Sequence, residues 1–536
     1  MKPSQFPSIS AQNRPATARL TRMRPLLSAA AAAALLLLLL PLAAGQRLRG
    51  FSYQLDCGAA SSSIDSRGLR WDPDGPYVSA GSARPLSVQG LLDPTLASLR
   101  VFPYRPAAKF CYALPVDPNR HYLLRPTFFY GPTSTAPPVF DLIVDGTFWT
   151  AVDTADDILA GSASHYEAVF PARGRNLTFC IGVNPDYTNS GPFINALQVI
   201  QLHDSVYNAT NFTGSAMGLI ARTKFGSTGD VERYPDDSFD RYWQPFPDSK
   251  HAVSSTHNVT SADFWNLPPP DVFNTALVAE QNAPLVLQWP PISLQNGSYY
   301  VSLYFADTLA NSSRTLDVNI NDYQFYQGTV TSAGLSVFAT QWILSGLTRV
   351  ILTSKSVLPP LINAGEVFGI FPIGRLTITR DALAMESMKR SLQNIPDDWI
   401  GDPCMPDGYA WTGVTCQEGQ NENIRVISLN FSGMGISGSL SPDIANLTAL
   451  IDISFANNSL SGTIPDLINL GQLQRLHLND NKLNGTIAET LGTIQPLREL
   501  FLQDNELGGA VPQNLLNKTG LTSKFCPGNQ FTPPPC

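Results

Sequence analysis

Towards the C-terminus, apolar positions recur in phase. One register starts at Val426 and carries Leu429, Phe431, Met434, Ile436, Gly438 and Leu440; the next start at Leu450, Leu473 and Leu497, at intervals of 24, 23 and 24 residues. In the three later copies an Asn (Asn458, Asn481, Asn505) follows the apolar positions, and a Leu-x-Gly step follows the Asn. That spacing predicts a leucine-rich solenoid, in which the apolar side chains fill one continuous core and each Asn bonds backbone groups of the turn beside it. Met434, standing where the first copy should carry Asn, fits a terminal repeat. Just upstream, Ala382–Asn394 has apolar residues at helical spacing and predicts a helix. Residues 51–380 show no such period. They carry short apolar runs, among them 122–130, 139–144, 177–183, 194–202, 299–305 and 316–320, broken by Gly, Pro and Asn. Such runs predict the antiparallel strands of a β-sandwich.

The N-terminus changes the picture of compartment. Arg14, Arg19, Arg22 and Arg24 precede an apolar run from Leu26 to Leu42 that ends in Ala43-Ala44-Gly45. This is the order of a secretory signal peptide over 1–45, and the run falls short of the roughly twenty residues that span a bilayer. The mature chain is expected to start near Gln46, without a membrane span; an uncleaved anchoring N-terminus is the alternative. Eleven Asn-x-Ser/Thr sequons agree with secretion: Asn176, Asn208, Asn211, Asn258, Asn296, Asn311, Asn430, Asn446, Asn457, Asn484 and Asn517. Bulky glycans demand surface positions. The net charge of −8 leaves no basic stripe for nucleic acid.

Seven cysteines fit an oxidising compartment. Cys404 with Cys416, and Cys526 with Cys536, flank the two ends of the repeat region and are expected to pair, sealing an apolar face that would otherwise meet water. Cys57, Cys111 and Cys180 leave an odd number; two are expected to bridge, and the sequence does not say which. No His is spaced to complete a zinc site, so neither metal nor cofactor is expected.

Several motifs carry a family resemblance. Asp397-Asp-Trp-Ile-Gly-Asp-Pro-Cys404 with Trp411-Thr-Gly-Val-Thr-Cys416 closely resembles the N-terminal cap of plant leucine-rich-repeat receptors. Phe51-Ser-Tyr-Gln-Leu-Asp-Cys-Gly58 resembles the opening strand of the plant malectin-like domain. Arg100-Val-Phe-Pro-Tyr104, Pro192-Phe-Ile-Asn-Ala-Leu197, Arg233-Tyr-Pro-Asp-Asp237, Asp240-Arg-Tyr-Trp243 and Pro360–Phe368 follow in that family's order. The chain is similar to the plant malectin-like, leucine-rich-repeat receptor-like proteins, described as di-glucose-binding proteins with leucine-rich repeats. The resemblance implies a mainly β architecture: two tandem malectin-like β-sandwiches at 51–203 and 214–380, then a short plant-type solenoid. The solenoid divides into an N-terminal cap at 381–423, four repeats at 424–517 and a C-terminal cap at 518–536.

No nucleophile elbow or phosphate-cradling loop is present, and the chain reaches Cys536 without the kinase of the larger receptors. The acidic pairs Asp156-Asp157, Asp236-Asp237 and Asp397-Asp398 read as turns or caps, because a glycosidase needs two carboxylates converging across a cleft. A non-catalytic binding role is expected. Sugar sites on β-sandwiches combine aromatic faces with a few polar groups. Tyr77, Phe129, Tyr130 and Trp149 are the candidates, with Tyr234, Tyr242 and Trp243 also available in the second sandwich. The expected function is that of a secreted protein of the apoplast or cell wall, binding carbohydrate or cell-wall fragments and contributing to receptor-complex signalling. The alternative is an interaction scaffold that binds a peptide or a membrane receptor kinase ectodomain without sugar.

Overall fold

The computed structural model describes residues 10–11, 51–86, 93–131, 137–187, 190–419 and 423–534. The N-terminal segment read as a signal peptide lies almost wholly outside the described residues, as does Cys536.

The first β-fold packs two sheets face to face. One is four-stranded: Thr147–Val152, Phe140–Val144, Asn176–Gly182 and Lys109–Pro115, in that spatial order. The other runs through Ala168–Pro171, His121–Phe128, Ala196–Gln201 and Ser52–Asp56. Leu55, Phe110, Tyr112, Leu124, Phe128, Phe179 and Leu197 lie between them. Cys111 and Cys180 sit directly opposite in register on neighbouring strands and form a disulfide, leaving Cys57 as a buried thiol.

The second β-fold is built on a long hairpin, Leu285–Phe305 paired with Leu335–Ser354. Its register breaks between Gln288 and Ser293, between Leu294 and Gly297, and between Tyr299 and Val301. Such irregularities bend strands, and residues of both halves, Leu285 and Leu287 with Leu303 and Val337, share one core. The two folds are not separate sheets. Ser215–Phe225 pairs with Ala364–Pro372 of the second fold and, through Ala168↔Gly218 and Val169↔Met217, with the first. One 15-stranded sheet therefore runs through both.

The solenoid carries two ladders. One stacks Ile424–Asn430, Asp452–Ser454, Arg475–His477, Glu499–Phe501 and Thr522–Lys524 in parallel. The other runs from Leu392–Gln393 through Ser437–Gly438, Ser459–Thr463, Lys482–Gly485 and Glu506–Gly509 to Gln530–Phe531. The Asn481 amide donates to the carbonyl oxygens of Phe455, Leu478 and Asn479 at 2.8, 3.2 and 3.1 Å, and its oxygen accepts from the Leu460 N–H at 2.9 Å. Asn458 and Asn505 repeat the arrangement, and so does Asn529. The segment expected as a C-terminal cap thus continues the repeat for another turn, with Phe525 and Phe531 buried at apolar positions.

The cap helix spans Thr379–Ser391, three residues earlier than the apolar spacing predicts. Asp381 in its first turn accepts from the Val426 N–H at 3.1 Å and pairs with Arg425 at 2.9 Å, which fixes the start. At the other end, Leu392–Gln393 leave the helix to pair with Ser437–Gly438. Cys404–Cys416 are bonded, and Trp399 stacks on Trp411 at 5.2 Å beside Phe431.

Although it follows the second fold in sequence, the cap docks on the first. The Lys109 ammonium is buried and donates to the carbonyl oxygens of Asp402 and Met405 at 2.6 and 2.5 Å. The Tyr409 hydroxyl donates to Asp141 at 2.6 Å, with its ring over Gly182; a Cβ there would stand 2.6 Å from a ring carbon. The connecting segment is pinned on the same sheet, where the Gly374 N–H donates to the Thr147 hydroxyl at 2.8 Å.

Candidate ligand-binding site

A cleft of about 720 Å³ lies where the two β-folds meet. Its floor is the shared sheet, at Gly218–Arg222 and Gly369–Phe371. Trp149, Tyr166 and His165 come from the first fold, Tyr242 from the loop after the junction strand, Gln244 from the short strand Gln244–Phe246 beside it, and Ile292–Gln295 with Tyr299 from the long hairpin. Trp149 sits half-buried, its indole nitrogen over Gly218, where a Cβ would stand 3.3 Å away. Tyr299 is buried and donates to the Gln295 carbonyl oxygen at 2.7 Å, which holds that rim in place. Within the described residues the Trp149 indole N–H, the Tyr242 hydroxyl and the Gln244 amide have no hydrogen-bond partner, so each faces the cleft with its capacity unspent.

Beneath the cleft runs a buried ionic network. Arg125 donates to Glu167 at 2.7 Å, to Gln198 at 2.8 Å and to the Asp240 carbonyl oxygen at 2.6 Å. Arg222 reaches the other Glu167 oxygen at 2.7 Å and Glu366 at 2.6 Å. Arg233 forks onto Asp240 with both contacts at 2.8 Å. Three guanidiniums thus face three carboxylates, all six side chains being buried. Burial opposes ionisation of Glu167, but Arg222 and Arg125 outweigh it and hold its carboxyl below the usual range. The same balance, with Arg233 and Arg125 as the cations, holds Asp240 low. The Tyr242 ring lies between two guanidiniums, Arg125 at 3.8 Å and Arg233 at 4.1 Å, which fixes its plane at the cleft wall. His165 opens onto the cleft as an exposed residue, its Nδ1 3.0 Å from the Thr127 hydroxyl. Desolvation, then Arg125 and Arg233, push its imidazolium down to about 4, so it presents a neutral ring at physiological pH.

Of the four residues singled out from sequence, only Trp149 lines this cleft. Tyr77 packs edge-on against Tyr53 at 5.2 Å and borders a separate groove with Phe51 and Tyr234. Tyr130 is half-buried against Phe193 at 4.8 Å, under the Arg84 guanidinium at 4.8 Å. Phe129 is 6% exposed and offers no face to a ligand. The strand His121–Phe128 that leads into Phe129 and Tyr130 is covered on both faces, so the apolar run over 122–130 belongs to the core. Trp243 is also buried, its indole N–H donating to Asp237 at 2.8 Å. Arg125, Glu167 and Arg222 were not foreseen. The available signal was a charged residue inside an otherwise apolar strand, which marks a buried ion pair. Among the described residues no group of three or more His, Cys, Asp or Glu could hold a metal ion. Nor is any helix there long and apolar enough to cross a membrane.

A family model for the malectin-like domain matches residues 55–370, and one for the leucine-rich repeat matches residues 472–494. Relatives from Arabidopsis thaliana include the probable LRR receptor-like serine/threonine-protein kinase PAM74, 28% identical over 426 residues, 74% of this chain and 46% of the relative. The putative leucine-rich repeat receptor-like serine/threonine-protein kinase At2g14440 is 31% identical over 431 residues, covering 77% and 48%. The chain therefore spans about half the length of these curated relatives. Among solved structures, the ANXUR2 extracellular domain from Arabidopsis thaliana aligns with a TM-score of 0.50 at 14% identity, over 60% of this chain and 97% of its own. The plant receptor-like kinase FER aligns with a TM-score of 0.50 at 17% identity, over 60% and 96%. At such identities the likeness is one of fold.

Proposed function

The chain belongs to the malectin-like domain family, with a leucine-rich solenoid attached, and on that premise we propose that it is a secreted recognition protein whose inter-fold cleft binds a neutral cell-wall oligosaccharide. The observation that carries this reading is the cleft wall itself. Aromatic rings of Trp149, Tyr166, Tyr242 and Phe371 stand beside unpartnered donors and acceptors, while the charges beneath are already neutralised by one another. Apolar sugar faces stack on such rings, and uncharged amide and hydroxyl groups fix hydroxyls. A preference for neutral sugars follows, because the lining charges Arg125, Arg222 and Glu167 are already ion-paired with one another.

The extracellular setting is supported by the sequons. All eleven asparagines are exposed, although they are scattered over both β-folds and the solenoid. On this reading the protein contributes recognition rather than catalysis to a receptor complex. Titration of the purified glycoprotein with neutral oligosaccharides such as cellotetraose and nigerose tests the proposal. Trp149→Ala should weaken binding up to about tenfold, for the loss of one stacking face worth about 0.5–1.5 kcal/mol, in a protein that calorimetry shows still folded. No binding by the folded protein at millimolar sugar refutes it.

A second reading rests on a different surface. The ladder positions Asn430, Ser454, His477, Phe501 and Lys524 align in one row, with His477 stacked on Phe501 at 4.4 Å and Lys524 over the same ring at 4.9 Å. Such a row of mixed polarity suits a peptide or a receptor kinase ectodomain, and it would carry the function if the cleft binds no sugar.

A further inference from the structure

A second cavity, of about 370 Å³, opens where the loop leaving the first fold meets a loop of the second. Ser205 and Asn208 form one wall; Ala262, Asp263, Phe264, Trp265 and Leu267 form the other. Asn208 is exposed and heads the sequon Asn208-Ala-Thr210, so a glycosylation acceptor is itself part of the cavity wall. Neighbouring Asn211 is not: its side-chain oxygen accepts from the Thr213 N–H at 3.2 Å within its own loop.

Both walls are held from below. Tyr207, immediately before Asn208, is buried; its hydroxyl donates to Glu366 at 2.6 Å and its N–H to the Asn266 side chain at 2.9 Å. Asn266 in turn donates to the Tyr300 and Tyr304 hydroxyls at 2.8 and 3.2 Å. Trp265 lies against Phe338 at 5.1 Å, and its N–H donates to the Ser336 hydroxyl at 3.2 Å. Trp265 therefore stands half-buried and fixed, facing an asparagine whose backbone is equally fixed.

We propose that the first sugar of an N-glycan on Asn208 seats in this cavity against Trp265, making the glycan a structural strut between the two β-folds. The attachment is the ordinary one. The Asn208 amide nitrogen bonds to the anomeric carbon of a lipid-linked oligosaccharide, the bond from that carbon to the lipid diphosphate breaks, and the amide gives up a proton. The inference rests on the secretory reading above, since only a chain entering that pathway meets the donor. A sugar ring against an indole face buries apolar area on both partners, and the seat costs little ordering because both walls are already rigid.

The test compares the full chain secreted from a eukaryotic host as wild type, Asn208→Gln and Asn296→Gln, the last removing a sequon outside this cavity. Glycopeptide mass spectrometry reads occupancy. Expected results are an occupied Asn208, a melting temperature about 2 °C lower in Asn208→Gln alone, and amide exchange over residues 262–267 accelerated severalfold there. Trimming the wild-type glycans to a single N-acetylglucosamine should preserve both the melting temperature and the protection. Three results overturn the proposal: an unmodified Asn208 beside occupied sequons elsewhere, identical melting and exchange in wild type and Asn208→Gln, or loss of the protection on trimming. If no sequon is modified, the secretory reading fails as well.

Discussion

Replacing Glu167 by Gln probes the joint between the two β-folds with almost no change in shape. Glu167 bridges Arg125 and Arg222, one oxygen to each at 2.7 Å, and all three are buried. The amide of Gln can still accept from one guanidinium but must present its NH₂ to the other, donor against donor. One positive charge is then left uncompensated in the shared sheet. Removing one partner of a buried pair costs about 3–5 kcal/mol. If both folds melt as one unit of roughly 300 residues, with an unfolding entropy of about 2.1 cal/mol/K per residue, the melting temperature falls by about 5–8 °C. Calorimetry at pH 7 measures this directly. The effect has a pH signature too. The Glu167 carboxyl is held below its ordinary 4.5. Its contribution is therefore complete above that pH and disappears as pH falls through the lower, folded value. The gap between wild type and variant should narrow in acid. A shift under 1 °C at pH 7, or a gap that widens in acid, would refute this account of the network.

Other expectations follow from the docked cap and the repeats. Gly182→Ala drives a methyl into the Tyr409 ring, so cap and first fold should separate, seen as protease cleavage within 373–404 while the solenoid stays folded. Lys109 is held down to about 8 by burial, against an ordinary 10.5. Between those values the unfolded chain binds a proton that the folded one does not, so stability should rise with pH across that window and Lys109→Met should abolish the slope. Asn481→Ala orphans the Leu460 N–H and removes the donor to three carbonyls, costing about 1–3 kcal/mol by denaturant titration, whereas exposed Asn484→Gln should be neutral. Non-reducing peptide mapping should find Cys526 joined to Cys536, and free thiols at either would contradict the expected seal.

The solenoid was legible because its physics is local. Each turn needs the same apolar positions and the same Asn to close on its neighbour, so Leu476, Leu478 and Asn481 announce themselves by interval alone. The additional turn at Asn529 keeps the Asn but is hidden by Ser523 opposite Leu500 and by Phe525 and Phe531 in place of Leu. The cleft was much less legible. Trp149 could be nominated as an aromatic, but Arg125, Glu167, Arg222, Tyr242 and Tyr299 come together only through the shared sheet, and no spacing joins them. Tyr242 and Trp243 were read as available rings; Tyr242 does line the cleft, beside two guanidiniums, whereas Trp243 is core. The docking of the cap on the first fold was invisible for the same reason. Its trace in the sequence is Lys109, a lone cation between Ala108 and Phe110, whose partners lie 293 and 296 residues further on.

The shared sheet also bears on synthesis. Until the segment 215–225 has left the ribosome, Ala168–Pro171 is the rim of an incomplete sheet, with Ala168 and Val169 still lacking the strand that later covers them. An uncovered edge of this kind templates pairing with other chains. The first β-fold is thus unfit to wait alone in solution, and a product truncated at residue 203 should aggregate where one extended through 372 stays monomeric. The segment that leads into the second fold thus does double duty, as floor of a cleft and as cover for an edge of the half made before it.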